Sequence, residues 1–216
     1  MDGFGKWYSE ARTADLYCST SPPLTADELD ELEAYTACQV STYIEEWGGY
    51  TVSPTPISCF FTSLYDDPRD MDANTFITYC PSLKVLDSDD EDEFRLVQKK
   101  INFRATDGHL LTLEEMPTPC HRLPRSYIND ILMQYAGITI EDMHSDWKSN
   151  LCYVPETDCF YTFTSDFGPG AFNPSYGEKS GAIVTLWGAS SCNEGPAVLT
   201  LQKNGNGWLI RSFQAI

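Results

Sequence analysis

The sequence predicts an α+β protein in which helices from the first two thirds of the chain pack on an antiparallel β-sheet at the carboxyl end. Apolar residues recur at helical spacing up to about residue 145, and after residue 150 they fall into short, strand-like runs. The last two runs are joined by the turn sequence NGNG at 204–207. Because helices come first and strands follow, the order favours α+β over a doubly wound parallel sheet. We expect one domain over residues 1–216, helix-rich over 1–145 and sheet-forming over 150–216.

The first helix is predicted from Ala26 to about Cys38. Thr25 and Glu28 have the spacing of a capping box, in which each side chain satisfies the free backbone N–H of the other residue. Further helical segments are a short helix capped by Asp72, a helix after the acidic run Asp87–Glu93, a well-patterned helix at Ser126–Ala136 closed by Gly137, and a helical turn begun by Thr139 and Asp142. The apolar segment Pro54–Tyr65 is expected to be a buried strand or extended run.

Five strands are expected after residue 150. They are Leu151–Val154, Cys159–Thr164, Ala182–Trp187, Ala197–Lys203 and Trp208–Phe213. The glycine- and proline-rich sequence FGPGAFNPSYGE at 167–178 is expected to be a surface loop. Alternation along Cys159–Thr164 places aromatic side chains on both faces of that strand. The strand is therefore either buried on both sides, or has one core face and one face that lines a groove.

The charge of the chain excludes some classes of partner. Thirty-two acidic residues against fourteen basic ones give a formal charge of −18 in 216 residues. The resulting field repels phosphate backbones and anionic lipid headgroups, so we expect neither nucleic-acid binding nor membrane insertion. No stretch approaches the roughly 18 to 20 apolar residues that a membrane helix needs. A soluble protein with a small-molecule or protein partner is expected.

The eight cysteines leave the compartment open. Their number is even and they are spread along the chain. In an oxidising compartment they could pair, and Cys152 with Cys159 could form a local bridge, whereas buried free thiols are the alternative reading. No signal peptide is visible over Met1–Glu10. Cysteine usage and the beginning of the chain thus favour different compartments.

Several segments together resemble a family of secreted or lipoprotein-like proteins of Gram-positive gut bacteria. They are SPPLTADELDEL at 21–32, FFTSLYDDPRDMD at 60–72, HRLPRSYINDILMQYAGITIEDM at 121–143 and YVPETDCFYTFTSDFG at 153–168. The closing LTLQKNGNGWLIRSF at 199–213 is similar to the last hairpin of cone-shaped α+β domains, with a curved sheet of the cystatin or nuclear transport factor 2 type. The resemblance implies an extracytoplasmic setting, but it does not indicate that the protein catalyses any particular reaction. Cys18, in ADLYCS, does not resemble a lipidation site.

The sequence holds few of the patterns that carry known chemistry. Nucleophile-elbow, Walker and dinucleotide-binding motifs do not occur, nor do the short Cys and His spacings of zinc sites. We therefore expect no cofactor and no metal. The acidic run at 87–93 lacks the glycine and the glutamate spacing of a calcium-binding EF-hand loop, so we interpret it as a solvated, helix-capping segment.

The strand at 159–164 and its flanks supply the candidate site residues. A ligand groove floored by Tyr161 and edged by Ser165 and Asp166, with Asp158 and His121 nearby, is the sharper hypothesis. The leading functional prediction is a non-catalytic binding or interaction domain whose concave sheet, covered by helices, holds a small molecule or a partner segment. One alternative is a carboxylate-dependent hydrolase that uses Asp158, Asp166 and His121. The other is a structural secreted module.

Overall fold

The computed structural model describes residues 21–46, 48–165, 170–192 and 195–216. It confirms the predicted α+β class, because helices are combined with antiparallel sheets and the last four strands form one such sheet. The helices are α1 (Ala26–Tyr35), α2 (Ala73–Thr78), α3 (Glu91–Ile101), α4 (Arg125–Tyr135) and α5 (Trp147–Asn150), with 3-10 turns at Pro56–Phe61, Pro68–Asp70, Ser88–Asp90 and Ile140–Asp142. The strands are β1 (Gln39–Ile44), β2 (Gly49–Pro54), β3 (Lys84–Val85), β4 (Cys120–Pro124), β5 (Tyr153–Val154), β6 (Cys159–Phe163), β7 (Phe172–Ser180), β8 (Ile183–Ser190), β9 (Pro196–Asn204) and β10 (Gly207–Ala215).

The C-terminal sheet is an antiparallel meander in the order β10-β9-β8-β7. Its central strands alternate between buried and half-buried residues, and the buried set includes Val184, Leu186, Leu199 and Leu201. This alternation is the pattern of a sheet with one core face. The predicted NGNG turn joins β9 to β10, with Gly205 at a positive φ of 57°.

Strand β7 lies where a surface loop was expected. Phe172 is buried in the core, and the strand pairs with β8 through a register shift between Pro174 and Tyr176. Proline is tolerated there because β7 is an edge strand and the residue lies at a bulge. Gly177 allows Leu24 to pack closely on the strand, since a Cβ at this position would lie 2.4 Å from Leu24 Cδ1. The local turn signals were therefore misleading.

A second sheet has the order β3-β4-β6-β5, and all its pairs are antiparallel. The strands after residue 150 are thus divided between two sheets, since β5 pairs with β6 and β6 pairs with β4, which precedes α4. Strand β6 is central and buried on both faces: Phe160 joins the main core, and Tyr161 joins a smaller cluster with Phe94 and Val97 of α3. A strand that is apolar on both faces needs cover from two sides, which a sheet with one core face does not offer.

The segment between α1 and α2 differs from the expectation. Strands β1 and β2 form a separate hairpin with exposed side chains. Pro56–Phe61 is buried as expected but is a 3-10 helix, not a strand. Pro56 sets the first turn, and the Ser58 hydroxyl donates to the Thr55 carbonyl at 2.7 Å, which favours the turn over an extended chain.

Helix α1 crosses the C-terminal sheet from one edge to the other. Before the helix, the backbone N–H of Leu24 donates to the Gly177 carbonyl of β7 at 2.8 Å. At the helix end, the Tyr35 hydroxyl donates to the Trp208 carbonyl of β10 at 2.7 Å. The predicted capping box begins the helix. These contacts fix α1 as a diagonal cover over the end of the sheet that carries the β7–β8 and β9–β10 turns.

Candidate functional site

Tyr161 lies in the packed interior beneath α3 and is only 2% exposed. Its hydroxyl hydrogen-bonds to the Glu93 carboxylate and, at 2.8 Å, to the Thr157 hydroxyl. Burial and the Glu93 carboxylate raise the pKa of Tyr161 well above its ordinary value, so the phenol stays neutral. Arg122 Nε lies 3.0 Å from Glu93 Oε1 as an ion pair, but this nitrogen has no well-directed hydrogen bond to a described residue. The Tyr161 hydroxyl is therefore already hydrogen-bonded within the protein, to Glu93 and Thr157.

Asp158 lies in the turn between β5 and β6, at a positive φ of 51°. Arg125 Nε, at the start of α4, donates to Asp158 Oδ1 at 2.7 Å, and the Tyr153 hydroxyl donates to the same oxygen at 2.5 Å. Arg125 also forms an ion pair with Glu141 at 2.5 Å. The Arg125 and Tyr153 hydrogen bonds lower the pKa of Asp158. The carboxylate is thus a structural anion that joins a turn to a helix.

His121 lies on β4 and is half-buried between two oxygen atoms. Its Nε2 is 2.9 Å from the carbonyl oxygen of Thr164, and its Nδ1 is 2.9 Å from Ser82 Oγ. Because a carbonyl oxygen only accepts, the hydrogen-bond network assigns the ring proton to Nε2. Nδ1 is then an acceptor, and the Ser82 hydroxyl donates to it.

The predicted site residues do not converge. His121 pairs in register with Thr162, whereas Asp158 precedes Cys159, the partner of Pro124, at the other end of the same strand pair. Four residues of antiparallel strand separate the two positions by roughly 13 Å. Ser165 is exposed and follows Thr164, so it lies near His121. Asp166 lies outside the described residues. A shared polar pocket for Asp158 and His121 is therefore not formed.

A groove opens between α1 and the end of the C-terminal sheet. It encloses about 470 Å³, and its apolar lining includes Leu24, Leu32, Val184 and Trp208. This volume lies within the range of about 300–1,000 Å³ that small-ligand sites occupy. The floor is rigid because Leu32 and Val184 also belong to the main core.

Two lysines and two glutamates edge this groove. Lys179 Nζ pairs with Glu28 Oε1 at 3.2 Å. The backbone hydrogen bond from Thr25, together with this contact, lowers the pKa of Glu28. Lys203 Nζ lies 4.5 Å from the centre of the Trp208 ring and has no carboxylate partner among the described residues. Glu31 is exposed and likewise forms no ion pair within the described part of the chain. One cation and one anion on the rim are therefore available to a ligand.

Sequence reasoning missed Lys203 and Trp208, as well as the pairing of Ser82 with His121. A lysine at the end of a strand gives no local signal of a site, because its meaning depends on the helix that covers the strand. Ser82 and His121 are 39 residues apart and belong to no motif. Only the pairing of β3 with β4 brings them together.

Comparison of this chain with protein-family models, with curated proteins and with solved structures finds no match. The described residues contain no group of three or more His, Cys, Asp and Glu side chains arranged to hold a metal ion. None of the described helices combines the length and the apolar character needed to cross a membrane. The seven described cysteines, which include Cys152 and Cys159, are free thiols.

Proposed function

We propose that this chain is a binding protein that holds a short aliphatic peptide with both termini free in the groove between α1 and the C-terminal sheet. The observation that carries the proposal is the composition of the groove: an apolar floor with a lysine and a glutamate on its rim that form no ion pair with any described residue. The protein acts there by binding, without a chemical step. This retains the binding function expected from the sequence and moves its site from β6 to α1.

The apolar floor selects the body of the ligand. Leu24, which is half-buried, offers aliphatic surface, and Trp208 adds an aromatic side chain whose backbone carbonyl accepts a hydrogen bond from the Tyr35 hydroxyl. Removing apolar area from water supplies about 25 cal/mol for each Å² buried, so aliphatic side chains of a ligand gain most of their affinity here. The floor is formed before a ligand arrives, which lowers the ordering cost of binding.

The rim selects the ends of the ligand. A carboxylate fits Lys203, because this ammonium lies over the Trp208 ring and has no acidic partner among the described residues. An ammonium fits Glu31 for the converse reason. Lys179 and Glu28 form an ion pair, so together they add no net charge to the rim. A ligand with one charge of each sign is therefore complementary, although the chain as a whole is acidic.

Titration calorimetry with three related peptides tests the proposal. We expect leucyl-leucine to bind more tightly than its N-acetyl derivative, which lacks the ammonium, and than its amide, which lacks the carboxylate. Each loss is expected to be up to about fivefold, since exposed ion pairs contribute about 0.2–1 kcal/mol. Ala182→Phe, at an exposed position in the groove, should abolish the binding heat.

Lysine variants connect the binding to the groove. Lys203→Met should weaken leucyl-leucine and leave the affinity of the amide unchanged. Lys148→Met is the matched control, because Lys148 Nζ also lies over a tryptophan ring, 5.2 Å from the centre of Trp147, but outside the groove. Equal binding by all three peptides, or an equal effect of the two lysine substitutions, would contradict the proposal.

A further inference from the structure

We propose that Ser82 is a nucleophilic serine, activated by His121, that accepts an acyl group from an ester with an apolar acyl part. The site lies at the open edge of the second sheet, away from the peptide groove. It is independent of the function proposed above. Three features carry the inference: the hydrogen-bond chain, the accessibility of its edge and the free backbone donors of the loop.

The hydrogen-bond chain has the order of an activated nucleophile. Ser82 Oγ lies 2.9 Å from His121 Nδ1, and His121 Nε2 lies 2.9 Å from the Thr164 carbonyl. The carbonyl fixes the ring in the tautomer whose lone pair is on Nδ1, directed at the serine hydroxyl. Here a backbone oxygen has the orienting role that a carboxylate has in a Ser-His-Asp triad.

The other two histidines provide an internal comparison. His109 Nδ1 lies 2.5 Å from Asp107 Oδ1, and His144 Nδ1 lies 2.7 Å from Asp70 Oδ1. Both are exposed histidine–carboxylate pairs, and neither is hydrogen-bonded to a hydroxyl among the described residues. Among the described residues, His121 is the histidine whose ring nitrogen is hydrogen-bonded to a serine hydroxyl.

The edge around Ser82 leaves room for a substrate. Strand β3 has only two residues and lies at the end of its sheet. Leu83, directly after the serine, is 63% exposed, and Val85 is 46% exposed and opposite His121 in register. These two side chains give an apolar acyl group a surface beside the nucleophile. Half-burial of Ser82 and His121 shields their hydrogen bond from part of the solvent.

The loop also supplies donors for the developing negative charge. The backbone N–H groups of Ser82 and Leu83 form no hydrogen bond with any other described residue. Backbone N–H groups beside the nucleophile are the usual donors of an oxyanion hole. They are the groups that the loop offers to a tetrahedral intermediate on Ser82.

The covalent step is a standard acyl transfer. Ser82 Oγ bonds to the carbonyl carbon of the ester while its proton passes to His121 Nδ1. Collapse of the intermediate breaks the bond to the alcohol oxygen, which takes the proton from Nδ1 and leaves as the alcohol. Water then attacks the acyl-serine by the same route, with the proton returned to Ser82 and the carboxylic acid released.

Labelling with diisopropyl fluorophosphate tests the proposal on the full-length folded chain. The serine oxygen bonds to phosphorus, fluoride leaves, and the proton departs with it by way of His121. We expect one adduct by intact-protein mass spectrometry, located at Ser82 by peptide mapping. Ser82→Ala should abolish it, and His121→Ala should slow labelling by about 100-fold or more, the usual contribution of a general base.

Two further variants make the result decisive. Ser165→Ala removes an exposed serine beside Thr164 and should leave the rate of labelling unchanged. His121→Gln keeps a side chain that can hydrogen-bond but is not a base, so it should slow labelling as His121→Ala does while the circular-dichroism spectrum stays native. Adducts spread over several serines at similar rates, an unlabelled Ser82, or full labelling of His121→Gln would each overturn the assignment.

Discussion

Asp158→Asn tests how much one exposed ion-pair network stabilises the protein. Asp158 lies at a positive φ of 51°, a conformation that asparagine tolerates as well as aspartate does. The substitution therefore removes the charge and leaves the backbone unchanged. It weakens the contacts with Arg125 and Tyr153, which join the β5–β6 turn to the start of α4.

The expected cost is about 1 kcal/mol in the free energy of unfolding. The side chains of Arg125 and Asp158 are 36% and 50% exposed, so solvent screens their attraction. Exposed ion pairs contribute about 0.2–1 kcal/mol, and the Tyr153 hydrogen bond places the sum near the upper end of this range. For a chain of this length, 1 kcal/mol lowers the melting temperature by about 2–4 °C.

The pH dependence follows from the sign of the shift. Hydrogen bonds from Arg125 and Tyr153 lower the pKa of Asp158 in the folded state. Its stabilising effect is therefore fully present above the unfolded pKa of about 3.9 and is lost as the pH falls through the lower folded value. The difference in stability between the natural protein and Asp158→Asn should be constant from neutral pH to about pH 5 and should vanish in stronger acid.

Thermal unfolding followed by circular dichroism measures the effect. Asp130→Asn is the control, because Asp130 is exposed on α4 and its side chain forms no hydrogen bond or ion pair with a described residue. In an Arg125→Met background, Asp158→Asn should lower the free energy of unfolding much less than it does in the natural protein. A melting temperature unchanged by Asp158→Asn at neutral pH and low salt would refute the reasoning, as would an equal cost with and without Arg125.

Three further predictions concern the core. Phe213→Ala should lower the free energy of unfolding in urea by about 3–5 kcal/mol because the ring is fully buried, whereas Leu110→Ala, at a side chain that is 42% exposed, should change it by less than about 0.5 kcal/mol. Gly188→Ala should lower the free energy of unfolding by about 1–3 kcal/mol or more. The new Cβ would lie 2.2 Å from the Asn173 carbonyl oxygen, so β7 would have to move away from β8. An unchanged urea midpoint would disprove this. Burial raises the pKa of Cys120 to about 12, so its thiol should react with a disulfide reagent at pH 8 only after unfolding, and fast reaction in the native protein would contradict the buried position.

Local signals predicted where the helices begin, whereas α1 ends at Tyr35, three residues before the expected Cys38. The Thr25–Glu28 capping box begins α1, and Gly137 follows α4 at a positive φ of 70°. A second capping box, between Thr139 and Asp142, begins the 3-10 turn as expected. Each signal acts through hydrogen bonds between residues no more than five positions apart, so the sequence contains all the information that they need.

The candidate site was predicted less well. Alternation along β6 correctly placed Phe160 and Tyr161 on opposite faces. Alternation does not reveal what covers each face, and the Tyr161 face lies under α3, with its hydroxyl bonded to Glu93. The proposed groove depends instead on α1, whose position is set by contacts with both edges of a sheet that forms more than a hundred residues later in the chain.

The sequence by itself determined the α+β class, the helix caps, the last hairpin and the acidic surface charge. The tertiary structure decided that β6 pairs with β4 and not with the C-terminal sheet, that the glycine- and proline-rich segment becomes β7, and that Ser82 contacts His121. The physical reason is the distance along the chain between the interacting residues. Caps and turns are formed by residues close together in the chain, whereas a strand can pair with any strand whose register buries its apolar face. That choice depends on the whole core and is not present in any single segment.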